Sequence, residues 1–298
     1  MLFAVILWFL PSGTYSSGGL VSLVLVLLTA YLSSETDNTY QLLRVRSRMI
    51  ASVWLFGAAC MGVFHSFHPI TVAVFCLAVS YYFLFRTYQQ PMPVADVFHA
   101  FLLLSLGSIF YAPLLIFVPF YWWYLLVFMR SMSLRVFSAS IVGAILPFWF
   151  WVGWLLWQED LSPFEVWWGQ MTLIGQPNLA LYADKAGIIR NMPYLLLLFL
   201  SVWTFVYYHL YRYDDKIRSR MMFYIYMFQT VIVITLSFFM PDPMQIVPLL
   251  LFNATPLLAH YFTLCNTWLC LVAFFLSLLA FLGVAFQTLL PETFNKLC

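Results

Sequence analysis

The sequence predicts an all-α fold, a polytopic transmembrane helix bundle of about ten or eleven spans with an amphipathic loop on its outer side. Two observations carry this prediction. Of the 298 residues, 64% are hydrophobic and only 8% are charged, whereas a soluble domain carries roughly 25% charged residues. The mean hydropathy of +0.93 indicates that lipid replaces water over most of the exterior. We therefore expect one integral membrane domain over residues 1–298, with the lipid bilayer as its first partner.

Apolar runs bounded by proline, glycine or charged residues predict the individual spans. The N-terminal segment, Met1 to Leu10, is apolar throughout, but ten residues reach only about 15 Å into a hydrocarbon core of roughly 30 Å. The other ten candidates are residues 17–32, 49–64, 69–85, 97–111, 113–129, 136–157, 192–211, 221–239, 244–260 and 267–289. Several of these runs lie at the short limit of the spanning range, so the expected count is ten or eleven.

The distribution of basic residues predicts the orientation, because cytoplasmic loops carry an excess of Lys and Arg. With the N-terminus in the cytoplasm, ten of the 13 basic residues fall in loops on one side. These are Arg44, Arg46, Arg48, Arg86, Arg130, Arg135, Arg212, Lys216, Arg218 and Arg220. Lys185, Arg190 and Lys296 remain for the outer side. The pattern predicts a multi-pass protein with a cytoplasmic N-terminus.

Residues 158–191 form one long connection that is too polar to span the membrane and too apolar for a simple linker. Ser162, Pro163 and Glu165 match the start of a helix, with Ser as the N-cap, Pro at N1 and Glu at N3. Trp167 and the apolar residues after it would contact lipid or the bundle. We therefore predict a short amphipathic helix on the outer membrane surface.

The charged residues of this connection are the candidate catalytic residues, namely Asp160, Glu165, Asp184 and Arg190. A carboxylate can act as a general base, and a guanidinium binds phosphate. Together they would suit transfer of a sugar from a polyprenyl-phosphate carrier. The alternative is a solvated loop whose charges only hold it at the headgroup level.

Residues 241–256 supply candidate substrate-binding residues. Two prolines within a span, together with Asn253, would free backbone carbonyl groups at membrane depth, and such broken helices line cavities in membrane proteins. We therefore consider Asp242, Asn253 and Pro256 as substrate-binding residues. The alternative is a proline kink repaired by Thr255 and by neighbouring helices.

Two histidine patterns complete the candidates. His65 and His68 are three residues apart at an outer hairpin, where they could bind one ligand together or simply cap a tight turn. Asp96 and His99 could form a proton-handling pair, or Asp96 could only favour the helix dipole. The five cysteines have no metal-type spacing, so we expect no metal and no other cofactor.

Residues 38–44 (NTYQLLR) and 98–113 (FHAFLLLSLGSIFYAP) resemble an uncharacterised family of bacterial polytopic inner-membrane proteins. This resemblance implies a bacterial cytoplasmic membrane. The many spans and the surface loop are also similar to multi-span glycosyltransferases that use lipid-linked sugars. Those enzymes place an acidic residue in the first outer loop, which residues 11–19 lack. The likeness therefore implies that an acid of residues 158–191, or of an N-terminal extension, takes that role.

Three functions from different classes fit the sequence. The protein could transfer or polymerise lipid-linked glycan at the outer face of the bacterial cell envelope. It could be a non-catalytic subunit or assembly factor bound to other membrane subunits. It could also carry an uncharged or amphiphilic solute. Nucleic acid is excluded as an expected partner, because Lys and Arg do not cluster on one face of any helix.

Overall fold

The computed structural model describes Trp8 and residues 17–45, 47–172, 174–175, 185–211, 215–264 and 268–289. Every regular element in these residues is helical. The predicted fold class, an all-α transmembrane bundle, is therefore confirmed. The predicted N-terminal span, Met1 to Leu10, lies outside the described residues except for Trp8.

Each of the ten apolar runs beyond residue 16 coincides with a helix. The bundle helices are α1 (Ser17–Tyr40), α2 (Met49–Cys60), α3 (Pro69–Arg86), α4 (Val94–Phe110), α5 (Phe117–Tyr124), α6 (Leu134–Trp157), α9 (Met192–Tyr211), α10 (Ile217–Phe238), α11 (Val247–Leu264) and α12 (Trp268–Leu289). Two shorter helices, α7 (Ser162–Thr172) and α8 (Lys185–Arg190), lie in the long connection. A 3-10 segment (Ala112–Ile116) and a π segment (Leu125–Met129) extend α5 on its two sides, and another 3-10 segment (Pro243–Ile246) precedes α11.

Seven helical stretches of the described chain are long and apolar enough to cross a membrane. They are Ser17–Tyr40, Pro69–Arg86, Ala112–Met129, Leu134–Trp157, Met192–Leu210, Ile217–Phe238 and Pro243–Leu264. Three apolar helices are shorter, at Met49–Cys60, Val94–Phe110 and Leu271–Gln287. The chain is thus a multi-pass membrane protein by the length and composition of its helices.

Successive bundle helices run in opposite directions, so their loops alternate between two ends. At one end, the Gln89 amide donates to the Met129 carbonyl (2.9 Å) and the Lys216 ammonium donates to the Gln41 side chain (2.9 Å). We call this the basic end, because Arg44, Arg48, Arg130 and Lys216 lie there, in the described parts of the loops between the bundle helices.

The opposite end holds the long connection. The Gln170 side chain of α7 accepts from the Ala112 amide (3.1 Å), and the Trp167 indole donates to the Ser108 carbonyl (2.7 Å). Beyond α7, the Gly175 amide donates to the Phe239 carbonyl (2.9 Å). The predicted short helix is present and is held against the end of α4 and the 3-10 segment that follows α4. It begins at Ser162 itself, after a turn in which the Asp160 carboxylate accepts from the Ser162 amide (2.9 Å).

Helix α11 forms the centre of the core, and every residue from Val247 to Tyr261 is buried. The helix continues through Pro256. The Thr255 hydroxyl donates to the Leu251 carbonyl (2.7 Å) and the Asn253 amide donates to the Leu249 carbonyl (2.8 Å). Both bonds lie in the turns before the proline and satisfy buried polar side chains there.

Candidate functional site

A polar pocket of about 620 Å³ opens at the basic end, between the C-terminal turn of α1, the loop after it, and the segment before α10. Its lining residues are Asp37, Asn38, Gln41, Leu42, Leu43, Arg44, Asp215, Lys216 and Ser219. Most of them are polar or charged, in a chain of which only 8% is charged. A concentration of this kind in a membrane domain is a candidate functional site.

Asp215 lines this pocket, and each of its two carboxylate oxygens has a partner. The Arg44 guanidinium donates to Oδ1 at 2.5 Å, and His260 Nε2 lies 3.0 Å from Oδ2. The side chains of Asp215 and His260 are each only 1% exposed. Three residues that are far apart in sequence therefore share one buried ionic network.

The partners of Asp215 keep it ionised. Burial alone would raise the pKa of this carboxyl, because a low-dielectric environment disfavours charge. The hydrogen bonds from His260 and Arg44, together with their charges, outweigh burial and lower the pKa below its ordinary value of 3.8. Because the carboxylate is ionised and accepts the bond, His260 Nε2 carries the donated proton.

His260 is enclosed by aromatic rings on its other sides. The ring centroids of Tyr208 and Phe223 lie 4.9 and 5.0 Å away, both nearly perpendicular to the imidazole. Its Nδ1 atom is buried and has no hydrogen-bond partner among the described residues. The rings fix the imidazole in the orientation that points Nε2 at Asp215.

The opposite wall of the pocket is built by the turn that follows α1. Gln41 adopts a left-handed conformation (φ 52°), which reverses the chain. The Asp37 carboxylate accepts from the Leu43 amide (2.9 Å), and the Gln41 carbonyl accepts from the Ser219 hydroxyl (2.9 Å). The first bond closes the turn, and the second attaches the turn to the start of α10. Together they give the pocket a fixed shape.

Lys216 is the cation of the pocket that faces outward. Its ammonium donates to the neutral Gln41 side chain, and no carboxylate of the described residues lies within salt-bridge distance of it. The charge of Asp215, by contrast, is already matched by Arg44. Lys216 therefore offers a positive charge to a bound anion.

The predicted catalytic residues that the structure describes lie at the opposite end of the bundle. Asp160 and Glu165 are exposed around the start of α7, and Arg190 is exposed at the end of α8. Asp184 lies outside the described residues. Hydrogen bonds from Ser162 lower the pKa of Asp160, whereas a general base at neutral pH benefits from a raised pKa. Neither Asp160 nor Glu165 lines the polar pocket.

The substrate-binding residues predicted within 241–256 do not come together in one site. The Asp242 carboxylate accepts from the Met244 amide (3.2 Å) and so caps the 3-10 segment before α11. Asn253 is fully buried, and its carbonyl oxygen accepts from the Tyr81 hydroxyl (2.8 Å). Pro256 is buried in the same helix. Asn253 and Pro256 thus lie inside the packed core, while Asp242 is half-buried at the end of the bundle opposite the basic end.

His65 and His68 engage different partners. His65 Nε2 lies 3.1 Å from the Ala59 carbonyl oxygen, whereas His68 Nε2 lies 3.0 Å from the Ser66 hydroxyl. Both bonds are local to the hairpin, as the turn-capping alternative expects. Within the described part of the chain, no group of three or more His, Cys, Asp or Glu side chains could hold a metal ion.

Asp96 and His99 also engage separate partners near the start of α4. The Asp96 carboxylate lies 3.4 Å from the Arg86 guanidinium, and His99 Nδ1 lies 2.6 Å from the Ala95 carbonyl oxygen.

Sequence reasoning missed the network of Arg44, Asp215 and His260. Arg44 served there only as a marker of orientation, and neither Asp215 nor His260 was assigned a role. A usable signal was present, because Asp215 is an acid in a loop that is otherwise rich in basic residues.

Comparison of the chain with protein-family models, with curated proteins and with solved structures finds no significant match. The geometry of the pocket is therefore the basis for the functional argument.

Proposed function

We propose that this chain is a multi-pass protein of the bacterial inner membrane, with a cytoplasmic N-terminus, that handles a lipid-linked glycan of the cell envelope. In this proposal the polar pocket at the basic end receives the phosphate of the carrier lipid and the first sugar. The observation that supports it is the 620 Å³ pocket itself, which combines outward-facing Lys216 with carboxylate and amide side chains. Basic side chains bind phosphate, and carboxylates and amides bind sugar hydroxyls.

The pocket also has the position that an amphiphilic ligand requires. It lies at the end of membrane-spanning α1 and α10, where the headgroup of a lipid would sit. Its depth and its fixed loop favour a polar group larger than a single ion. A phosphorylated sugar on a polyprenyl chain has both the charge and the size for this pocket.

The first test is the change Lys216→Gln. We expect it to weaken binding of a polyprenyl phosphate about tenfold, because one charge-assisted hydrogen bond to the phosphate is lost. The measurement is equilibrium binding of radiolabelled polyprenyl phosphate to the protein in phosphatidylcholine nanodiscs. Glutamine keeps a polar N–H donor at this exposed position, so the fold should be unaffected.

Arg135→Gln is the matched control. Arg135 is also an exposed cation at the basic end, but it does not line the pocket. We expect its replacement to leave the affinity unchanged. Equal weakening by both changes would mean that the lipid responds only to the general surface charge, and the pocket would not be its site.

Glycan transfer or polymerisation at the outer face is an alternative form of this proposal, in which the reacting sugar binds at the end opposite the polar pocket and Asp160, Glu165, Asp184 and Arg190 are the catalytic residues. If it is right, Glu165→Ala should abolish product formation, because an essential acid is removed. The measurement is incorporation of labelled sugar into polymer by membrane vesicles. Val166→Ala, on the neighbouring exposed position of α7, is the control. Full activity of Glu165→Ala would show that Glu165 is not required for the reaction.

A second candidate is a non-catalytic subunit or assembly factor bound to other membrane subunits. The observation that favours it is the row of large exposed aromatic side chains on α6, namely Trp149, Phe150, Trp154 and Trp157. Such a row fits another membrane helix as well as lipid. The carrier hypothesis has less support, because Asn253 and Pro256 are buried within packed helices and do not line the polar pocket.

A further inference from the structure

A second cavity, of about 360 Å³, lies between α1 and α2 and adjoins the polar pocket. We call it the α1–α2 groove. It is lined by Leu27, Ala30, Tyr31, Ser34, Glu35, Asn38, Arg48, Ala51 and Leu55. Asn38 lines both the groove and the polar pocket, so the two cavities adjoin at this residue.

The groove follows one face of α1 along its length. Leu27, Ala30, Ser34 and Asn38 are separated by three or four residues each, which places them on the same side of a helix. At 1.5 Å per residue, the eleven steps from Leu27 to Asn38 span about 16 Å. The hydrocarbon core is roughly 30 Å thick, so this distance is about half of it and equals the depth of one leaflet.

The polarity of the groove changes along this distance. Near the basic end it is lined by Ser34, Glu35 and Arg48, and deeper in the bundle by Leu27, Ala30 and Leu55. This gradient is the same as that of a lipid, whose polar head is at the membrane surface and whose chain points toward the centre. The groove and the polar pocket together therefore have the shape and polarity of a site for an amphiphile.

The groove opens sideways into the bilayer. Tyr31 is 66% exposed and Leu27 is 44% exposed, and both belong to a helix that is long and apolar enough to span the membrane. Lipid therefore reaches this face of α1 directly.

Two other apolar clefts, of about 240 and 340 Å³, flank α12. They are lined almost entirely by aliphatic and aromatic side chains, and neither shares a lining residue with the polar pocket. They lack the continuity with a headgroup site that the α1–α2 groove has.

We infer that the α1–α2 groove holds the hydrocarbon chain of the ligand whose headgroup occupies the polar pocket. The ligand then enters from the leaflet at the basic end, by sliding between α1 and α2, rather than from water. This inference rests on the proposed function, and it specifies the ligand as a long-chain lipid that is bound along one leaflet.

The test compares two ligands and two tryptophan variants in phosphatidylcholine nanodiscs. The ligands are a long-chain polyprenyl phosphate and a water-soluble isoprenyl phosphate of two units. Ser34→Trp fills the groove from a half-buried position. Val24→Trp is the matched control, because Val24 is 52% exposed on the same helix and lines neither the α1–α2 groove nor the polar pocket.

We expect Ser34→Trp to weaken binding of the long-chain ligand at least tenfold and of the short ligand less than threefold, since only the long chain needs the groove. Val24→Trp should change neither affinity. If Ser34→Trp leaves the long-chain affinity unchanged while Lys216→Gln weakens both ligands, the groove inference is wrong and the proposed function stands. If Lys216→Gln weakens neither ligand, the proposed function fails, and the groove inference fails with it.

A second measurement uses the wild-type chain and so does not depend on how a variant folds. A polyprenyl phosphate with a diazirine near its first isoprene units is photolysed in the nanodisc, and the labelled peptides are identified by mass spectrometry. We expect labels on Tyr31 and Ser34, which line the groove and neither of the clefts beside α12. Labels concentrated on Phe262 and Phe274 beside α12 would overturn the inference.

Discussion

Replacement of Asp215 by Ala should lower the free energy of unfolding by about 3 to 5 kcal/mol, which is the range for removing one partner of a buried ionic network. Asp215 is the acceptor for both the Arg44 guanidinium (2.5 Å) and His260 (3.0 Å). With the carboxylate gone, the buried imidazole loses its only described hydrogen-bond partner and the guanidinium loses a counter-charge. The measurement is unfolding in mixed micelles by titration with a denaturing detergent.

Two further variants separate charge from hydrogen bonding. Asp215→Asn keeps one acceptor oxygen, so we expect a smaller loss than for Asp215→Ala. Asp96→Ala is the control, because Asp96 also pairs with an arginine at the basic end (3.4 Å), but with a guanidinium that is half exposed. A pair of that kind contributes at most about 1 kcal/mol. Equal losses for Asp215→Ala and Asp96→Ala would contradict the role of the buried network.

The pH dependence of stability should also reflect the ionised state of Asp215. The folded state lowers the pKa of Asp215 below its ordinary value of 3.8, so the unfolded chain binds this proton more tightly. The contribution of Asp215 to stability is therefore complete above about pH 4. It is lost as the pH falls through the lower pKa of the folded state. Melting temperatures measured from pH 7 to pH 3 should decline more steeply below pH 4 for the wild type than for Asp215→Asn.

The sequence predicted the helices well because each one depends on a local property. A run of apolar residues must bury its backbone in helical hydrogen bonds when it lies in lipid. The boundaries were less accurate where polar residues continue a helix. The apolar run of α1 ends near residue 32, yet the helix continues to Tyr40. Polar side chains bond within that extension, as when the Thr36 hydroxyl donates to the Leu32 carbonyl (2.7 Å).

That extension determines the candidate site. It carries Asp37 and Asn38 into the polar pocket and Ser34 into the α1–α2 groove. A prediction that ends α1 at residue 32 assigns these residues to a loop and gives them no partners. The pocket therefore could not be found from the apolar pattern alone.

The ionic network could not be predicted for a different reason. Arg44 and Asp215 are 171 positions apart, and their contact depends on how α1, α10 and α11 pack together. A charge in a loop serves equally well as a marker of orientation or as a partner in a buried pair. Only the packing of the helices distinguishes these two roles.

The packing of α4 against α6 leads to the other large expected effect, which is a change at Gly143. A Cβ atom added at this position would lie 2.6 Å from the Phe98 carbonyl oxygen and 3.3 Å from the Leu102 backbone nitrogen. Both atoms belong to the backbone of α4, which cannot move aside as a flexible side chain can. Nearby, the Ser105 hydroxyl donates to the Ala144 carbonyl (2.5 Å). The absence of a side chain at Gly143 thus permits the close approach of two membrane helices.

We therefore expect Gly143→Ala to lower the free energy of unfolding by about 1 to 3 kcal/mol, since overpacking forces the two helices apart. Gly143→Leu should lower it further and should reduce the yield of folded protein. The same detergent titration measures both variants.

Gly153→Ala provides the matched control, because it makes the identical chemical change on the same helix. A Cβ atom at Gly153 would meet nothing within 4 Å. Alanine is better than glycine in a helix interior by about 0.5 to 1 kcal/mol, so this variant should be at least as stable as the wild type. The two substitutions are thus expected to change the free energy of unfolding in opposite directions. If both stabilised the protein, α4 and α6 would not be in close contact at Gly143, because helix propensity alone would then determine the effect of each alanine.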